Sequence, residues 1–133
     1  MLLPVFIEEI IIADELFHDR EISSLHLSYP FIQLRNIEIG DKCFNNVYEF
    51  VLDGLGKLES VKIGEKCFRM SNKERNDGVC RITNCPNLIQ LEIGRGSFYD
   101  FAQFELSNVN SLQSIIFGYV CFFYAEDCIL KGE

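Results

Sequence analysis

The chain has 133 residues, enough for a single domain spanning residues 1–133. Its 48% apolar content, 12 Phe and lack of any low-complexity tract exclude a disordered polymer. A net charge of −8 argues against sequence-independent binding to nucleic acid or to an anionic membrane, since both require basic surface.

The first segment, MLLPVFIEEIIIADELF, is apolar but has no basic leader, and Pro4, Glu8 and Glu9 break it. It falls well short of the roughly 20 apolar residues of a membrane helix, so neither a signal peptide nor a span is expected there. It carries instead the first copy of a template, LxxIxIGxxxF. The template begins at Ile7 (IEEIIIADELF), Leu34 (LRNIEIGDKCF), Leu58 (LESVKIGEKCF), Leu88 (LIQLEIGRGSF) and Leu112 (LQSIIFGYVCF), in steps of 27, 24, 30 and 24 residues. Self-similarity at such a period is the mark of stacked units. A second alternating stretch follows each copy: Leu25/Leu27, Phe50/Leu52, Cys80/Ile82, Phe104/Leu106 and Cys128/Leu130. Each unit therefore predicts two short strands. One unit of this size cannot bury its own apolar side, but stacked turns place Leu58 on Leu34 and Phe68 on Phe44. The predicted fold is mainly β: a solenoid of about five turns of 24–30 residues, with parallel strands and little helix.

The pattern resembles leucine-rich repeats, and more closely the BspA-like leucine-rich repeats, in which an LxxIxI strand is followed by a small residue and Phe, then NCxxL. The matching residues are Leu58, Val61, Ile63, Cys67 and Phe68, with Asn84-Cys85-Pro86-Asn87-Leu88 for the second motif. The likeness covers residues 7–130. Two positions depart from it: Gly40, Gly64, Gly94 and Gly118 stand where the BspA-like form usually has Pro, and Lys42, Lys66, Gly96 or Val120 stand at the Asn position of ordinary leucine-rich repeats. The resemblance implies an interaction module, because such repeats occur in adhesins and in large protist repeat proteins. A right-handed parallel β-helix, whose coils have a similar length, is the alternative architecture.

Six cysteines raise the question of metal or disulfide chemistry. The repeat register answers that Cys43, Cys67 and Cys121 share a column with Ser97, a slot for a small side chain. Cys80 and Cys128 replace Phe50 and Phe104, and Cys85 aligns with Leu55 and Val109. All six are expected to be reduced core residues, which favours a cytoplasmic, reducing setting over a cell-surface location within a larger repeat protein. No metal or cofactor is expected. Gly54-Leu55-Gly56-Lys57 lacks the spacing of a phosphate loop and aligns with Asn108-Val109-Asn110-Ser111 as a turn. The glycine after each strand suggests a tight turn or close backbone stacking, and Ala13 in the first copy shows that a methyl is accommodated at the end of the stack.

Glu38, Lys62 and Glu92 occupy one outward position in three successive turns. At about 4.8 Å per turn the two carboxylates lie roughly 10 Å apart, near the upper end of an inverting glycosidase pair. The intervening Lys62 supports a plainer account, an alternating charge ladder. His26 is expected to point outward between Leu25 and Leu27. The 30-residue step inserts six residues between Phe68 and Ile82, and residues 66–81 carry a net charge of +3 on an otherwise acidic chain. A basic loop over residues 69–81 is thus a candidate contact for an acidic partner, against the plain reading of a tolerated surface insertion.

The last copy is the most apolar, with Ile116 in place of the ladder charge and Ile115, Phe117, Tyr119, Phe122, Phe123 and Tyr124 around it. Cys128–Leu130 reads as the lead-in to a further strand. The chain is therefore expected either to belong to a longer array or to self-associate through uncapped ends. The function expected from sequence is a non-catalytic scaffold for a protein partner, with Asn36, Glu38, Ser60, Lys62, Gln90, Glu92, Ser114, Arg69, Lys73 and Arg75 as candidate contacts. A polysaccharide-active β-helix enzyme using Glu38 and Glu92, and a structural spacer within a longer repeat protein, are the alternatives.

Overall fold

In a computed structural model of the chain, residues 6–69 and 77–132 are described. They form ten strands and no helix. The LxxIxI copies become β1 (Glu9–Ile12), β3 (Asn36–Ile39), β5 (Ser60–Ile63), β7 (Gln90–Ile93) and β9 (Ser114–Phe117). The second stretches become β2 (Ser24–Leu27), β4 (Glu49–Asp53), β6 (Gly78–Thr83), β8 (Phe101–Ser107) and β10 (Asp127–Lys131). Odd strands make one sheet in the order β1-β3-β5-β7-β9, and even strands a second in the order β10-β8-β6-β4-β2. Every pairing is parallel, so the molecule is the all-β solenoid of five two-strand turns that the repeat predicts.

The core lies between the two sheets, filled by residues that alternate inward from each strand. Leu34, Leu58, Leu88, Val61, Leu91, Phe50, Leu52, Cys80 and Ile82 are fully buried. Equivalent residues of successive turns stack, because parallel pairing sets them one strand spacing apart, about 4.7–4.9 Å. The clearest case is Phe17-Phe44-Phe68-Phe98-Phe122, whose neighbouring ring centroids are 5.1, 5.1, 4.6 and 4.9 Å apart with planes within 11° of parallel. Phe50 tilts against this column, and Phe101 meets Phe98 edge-on at 4.9 Å. Phe101 lies across Gly78, where a Cβ would come within 2.9 Å of its ring. The register of β6 on β8 also shifts there, between Gly78 and Val79, at the end of the insertion.

The turn after each odd strand reverses direction through two left-handed residues. Glu15, Lys42, Lys66, Gly96 and Val120 form one column of positive φ, and the five stacked phenylalanines form another. Left-handed backbone is uncommon for side chains of this kind, and here the amides compensate. Those of the first column donate forward, Lys42 to the Glu65 carbonyl and Lys66 to that of Arg95, both at 2.8 Å. Those of the phenylalanines donate backward, as from Phe68 to Cys43 at 2.9 Å. A third column, Gly54, Asn84 and Asn108, caps the even strands in the same conformation. There the Asn84 side-chain amide donates to Asp53 and that of Asn108 to the Asn84 side chain, at 3.0 and 2.8 Å.

The post-strand glycines have ordinary backbone, and close stacking is the reason for them. A Cβ on Gly64 would lie 2.8 Å from the Gly40 carbonyl carbon, and one on Gly94 would lie 2.5 Å from the Gly64 carbonyl oxygen. Each glycine amide meanwhile donates to the preceding turn, Gly64 to Ile39 and Gly94 to Ile63, both at 2.8 Å. Ala13 occupies this position in the first turn, which has no described turn before it for its methyl to meet. Gly94→Ala is expected to destabilise the fold by about 1–3 kcal/mol, the usual cost of overpacking. Gly56→Ala, where a Cβ meets nothing within 4 Å, should change stability by less than about 0.5 kcal/mol. Urea unfolding followed by circular dichroism checks both.

Candidate interaction face

Outward residues of the odd-strand sheet form two straight ladders. Glu9, Asn36, Ser60, Gln90 and Ser114 lie in register in one, and Ile11, Glu38, Lys62, Glu92 and Ile116 in the other. The predicted contact residues Asn36, Glu38, Ser60, Lys62, Gln90, Glu92 and Ser114 are therefore brought onto one face, where Lys62 and Gln90 are exposed and the others half-buried. The alternation Glu38-Lys62-Glu92 is real in register, with opposite charges on adjacent strands.

The tighter ion pairs run in the column just before the strands, which the repeat template leaves unspecified. Arg35 bonds Glu59 at 2.8 Å and pairs with Glu8 at 3.6 Å. Glu8, Glu9, Arg35, Asn36, Glu59 and Ser60 line an open depression of about 550 Å³ at the β1-β3-β5 end of the face. Three carboxylates to one guanidinium leave this depression anionic, so it suits a cationic group. The signal was present in the sequence as Glu, Arg and Glu at the same place in three copies, one residue before each strand.

Of the basic loop, Arg69 is half-buried and stacks over the Tyr99 ring at 4.6 Å from its centroid. Its guanidinium is thus engaged with an aromatic face rather than held free for an acidic partner. Arg81 faces outward on β6 and pairs with Glu105 at 3.5 Å. Lys73 and Arg75 lie outside the described residues. His26 points outward as expected and bonds Glu49 at 2.9 Å.

The cysteines are free thiols, and their exposure corrects one expectation. Cys43, Cys67, Cys80 and Cys85 are buried, but Cys121 is half-buried and Cys128 is exposed, so the core assignment fails for Cys128. Its column ends at β10, which pairs only with β8 among the described strands and leaves one side of Cys128 uncovered. The small-residue slot is more than a matter of size. Cys67 Sγ donates to the Gly40 carbonyl at 2.9 Å, Ser97 Oγ to Gly64 at 2.7 Å, and Cys121 Sγ to Gly94 at 3.0 Å. Cys43 makes the equivalent contact with the Ala13 carbonyl at 3.2 Å. Cysteine and serine exchange here because both present a hydrogen to the preceding turn. Ser97 Oγ also accepts from the Cys67 amide at 3.0 Å.

Burial pushes the thiols up, Cys67 to about 12 and Cys85 to about 11, with Cys80 raised well above the ordinary value and Cys121 raised. They stay protonated at neutral pH, as donors rather than nucleophiles. Comparisons of the chain with protein-family models, with curated proteins and with solved structures gave no match.

Cys67→Ser is expected to keep the fold nearly unchanged. Cys67→Val, which leaves the Gly40 carbonyl without its donor, should cost about 1–2 kcal/mol in urea unfolding. A thiol raised in the folded state keeps its proton while the unfolded chain has lost its own, so its stabilising effect is complete below the ordinary value of 9.0. It should be lost as pH rises through about 11 for Cys85 and about 12 for Cys67. Unfolding midpoints measured from pH 8 upward should therefore decline above pH 9. In the native protein a thiol reagent should modify Cys128 first and the four buried cysteines only on unfolding.

Proposed function

We propose that this chain is a leucine-rich-repeat interaction module of BspA-like type, non-catalytic, whose odd-strand face receives a protein partner. The observation that carries the proposal is the face itself: straight ladders on five strands, one polar throughout and the other charged on its middle three strands, which no other described element covers. Backbone hydrogen bonds between every pair of turns fix the spacing of these side chains, so little ordering cost attends binding. The anionic depression beside Arg35 favours a partner that offers a lysine or arginine there. Subclass support comes from the NCPNL stretch, where Asn84 takes the left-handed cap and Cys85 and Leu88 are buried. The free thiols fit a reducing, cytoplasmic setting.

Photo-crosslinking side chains placed at Ser60 and Gln90, in protein returned to extracts of its source, should capture a discrete partner band. The same probes at Val51 and Arg81, on the opposite sheet, should not. Glu8→Lys together with Glu59→Lys should reduce the band at least about tenfold. Equal capture from both sheets would sink the proposal. So would polysaccharide hydrolysis that disappears in Glu38→Gln or Glu92→Gln, since it would assign those carboxylates to an enzyme.

A further inference from the structure

We propose that copies of this chain associate head to tail, the β9 and β10 edge of one copy receiving the β1 and β2 edge of the next. Among the described residues both edges are open along their strands, because β1 and β2 pair on one side only and so do β9 and β10. The same turn-to-turn contacts that build the solenoid are incomplete at each edge and complementary between them. Gly40, Gly64, Gly94 and Gly118 donate to Ile12, Ile39, Ile63 and Ile93. The next acceptor in that series is the Phe117 carbonyl, and the amide that would reach it is Ala13 of a second copy. The forward series from Glu15, Lys42, Lys66 and Gly96 likewise continues at the Val120 amide, opposite the Asp14 carbonyl of the second copy.

Side chains at the edges match in the same register. The middle turns carry Glu38, Lys62 and Glu92 on the outward ladder, whereas both end turns carry isoleucine there, Ile11 at 65% and Ile116 at 50% exposure. Head-to-tail docking sets these two side by side on the outward ladder, so that each covers part of the other's apolar surface. Phe17, 44% exposed, would lie on Phe122 and continue the ring column without a break. A groove of about 290 Å³ between Leu106, Val109, Leu112, Ile115 and Leu130 lies where the column Ile7-Leu34-Leu58-Leu88-Leu112 would take its next member. Ile7, 45% exposed on the opposite edge, is that member.

One contact opposes the fit. At each internal junction a Cβ at the glycine position would come within 3 Å of the turn before it, and Ala13 brings such a methyl against the backbone of Gly118. The junction between copies is therefore looser than the junctions within one. The junction is heterologous and continues the stacking of the turns in the same direction rather than rotating back on itself, so growth is open-ended. The edge strands also carry Ser114 and Glu9 of the proposed partner face, but the junction is built on Ile7, Ile11, Ala13, Phe17, Ile116 and Phe122, none of them a proposed partner contact, so this inference stands or falls separately from the scaffold reading.

Sedimentation velocity of the intact chain, from low to high micromolar, tests it. The average mass should rise above 15.4 kDa and continue past the dimer. Ala13→Gly should shift the rise to about tenfold lower concentration by clearing Gly118. Ile11→Lys and Ile116→Glu should each shift it about tenfold higher, by replacing one half of the isoleucine pair at the junction with a charge that must be partly desolvated. Mixing those two variants should restore association, since the introduced ammonium of one then meets the introduced carboxylate of the other. Circular dichroism confirms that each variant is folded. A wild-type chain and an Ala13→Gly chain that both remain at 15.4 kDa would overturn the proposal. A mass that levels off at the dimer, or an assembly indifferent to both charge substitutions, would do the same.

Discussion

The approach of one turn's backbone to the next at the spacing of a parallel β-ladder is the constraint on which everything else rests. Once β3, β5, β7 and β9 lie at that spacing, the residue after each strand has no room for a Cβ, and glycine follows at Gly40, Gly64, Gly94 and Gly118. The same spacing sets the phenylalanine rings at 4.6–5.1 Å in near-parallel planes. It also decides that the slot beside them takes a side chain with a hydrogen to donate. Backbone, aromatic column and thiol ladder are three results of one distance.

Stability in such a molecule is shared between neighbours rather than pooled in one centre. Leu34, Leu58 and Leu88 are completely buried because each has a turn above and below, whereas Ile7, at the first turn, is 45% exposed. The left-handed residues show the same dependence. Each conformational cost at Lys42, Phe44, Lys66 or Phe68 comes with a hydrogen bond to an adjacent turn, so the cost is offset only when that turn is in place. Turns are marginal alone and cooperative together.

The strands, their register and most columns were legible in the sequence because each column is written up to five times. A substitution such as Ser97 among Cys43, Cys67 and Cys121 then reports what the slot tolerates. Repetition shows tolerance but not cause. Cys and Ser share small size as well as donor character, and only the position of the Gly40 and Gly64 carbonyls distinguishes the two explanations. The Glu8-Arg35-Glu59 column was overlooked because it lies outside the apolar template, in a position that alternates in charge. The left-handed backbone at Lys42 and Phe44 carries no local signature either, since it is imposed by hydrogen bonds to other turns. Cys128 was misplaced because a column assigns a residue its facing and not its cover, which depends on whether another turn lies beside it.

The wiring of the contacts also fixes how the molecule yields to tension. Every interturn bond joins residues about one repeat apart, in steps of 24–30 residues, and those bonds run along the stacking direction. Pulling along that direction does not shear many bonds at once. It peels one turn while the rest stay closed. Each released turn would add roughly 80–100 Å of extended chain, so under load the solenoid would behave as an extensible tether that lengthens in discrete steps.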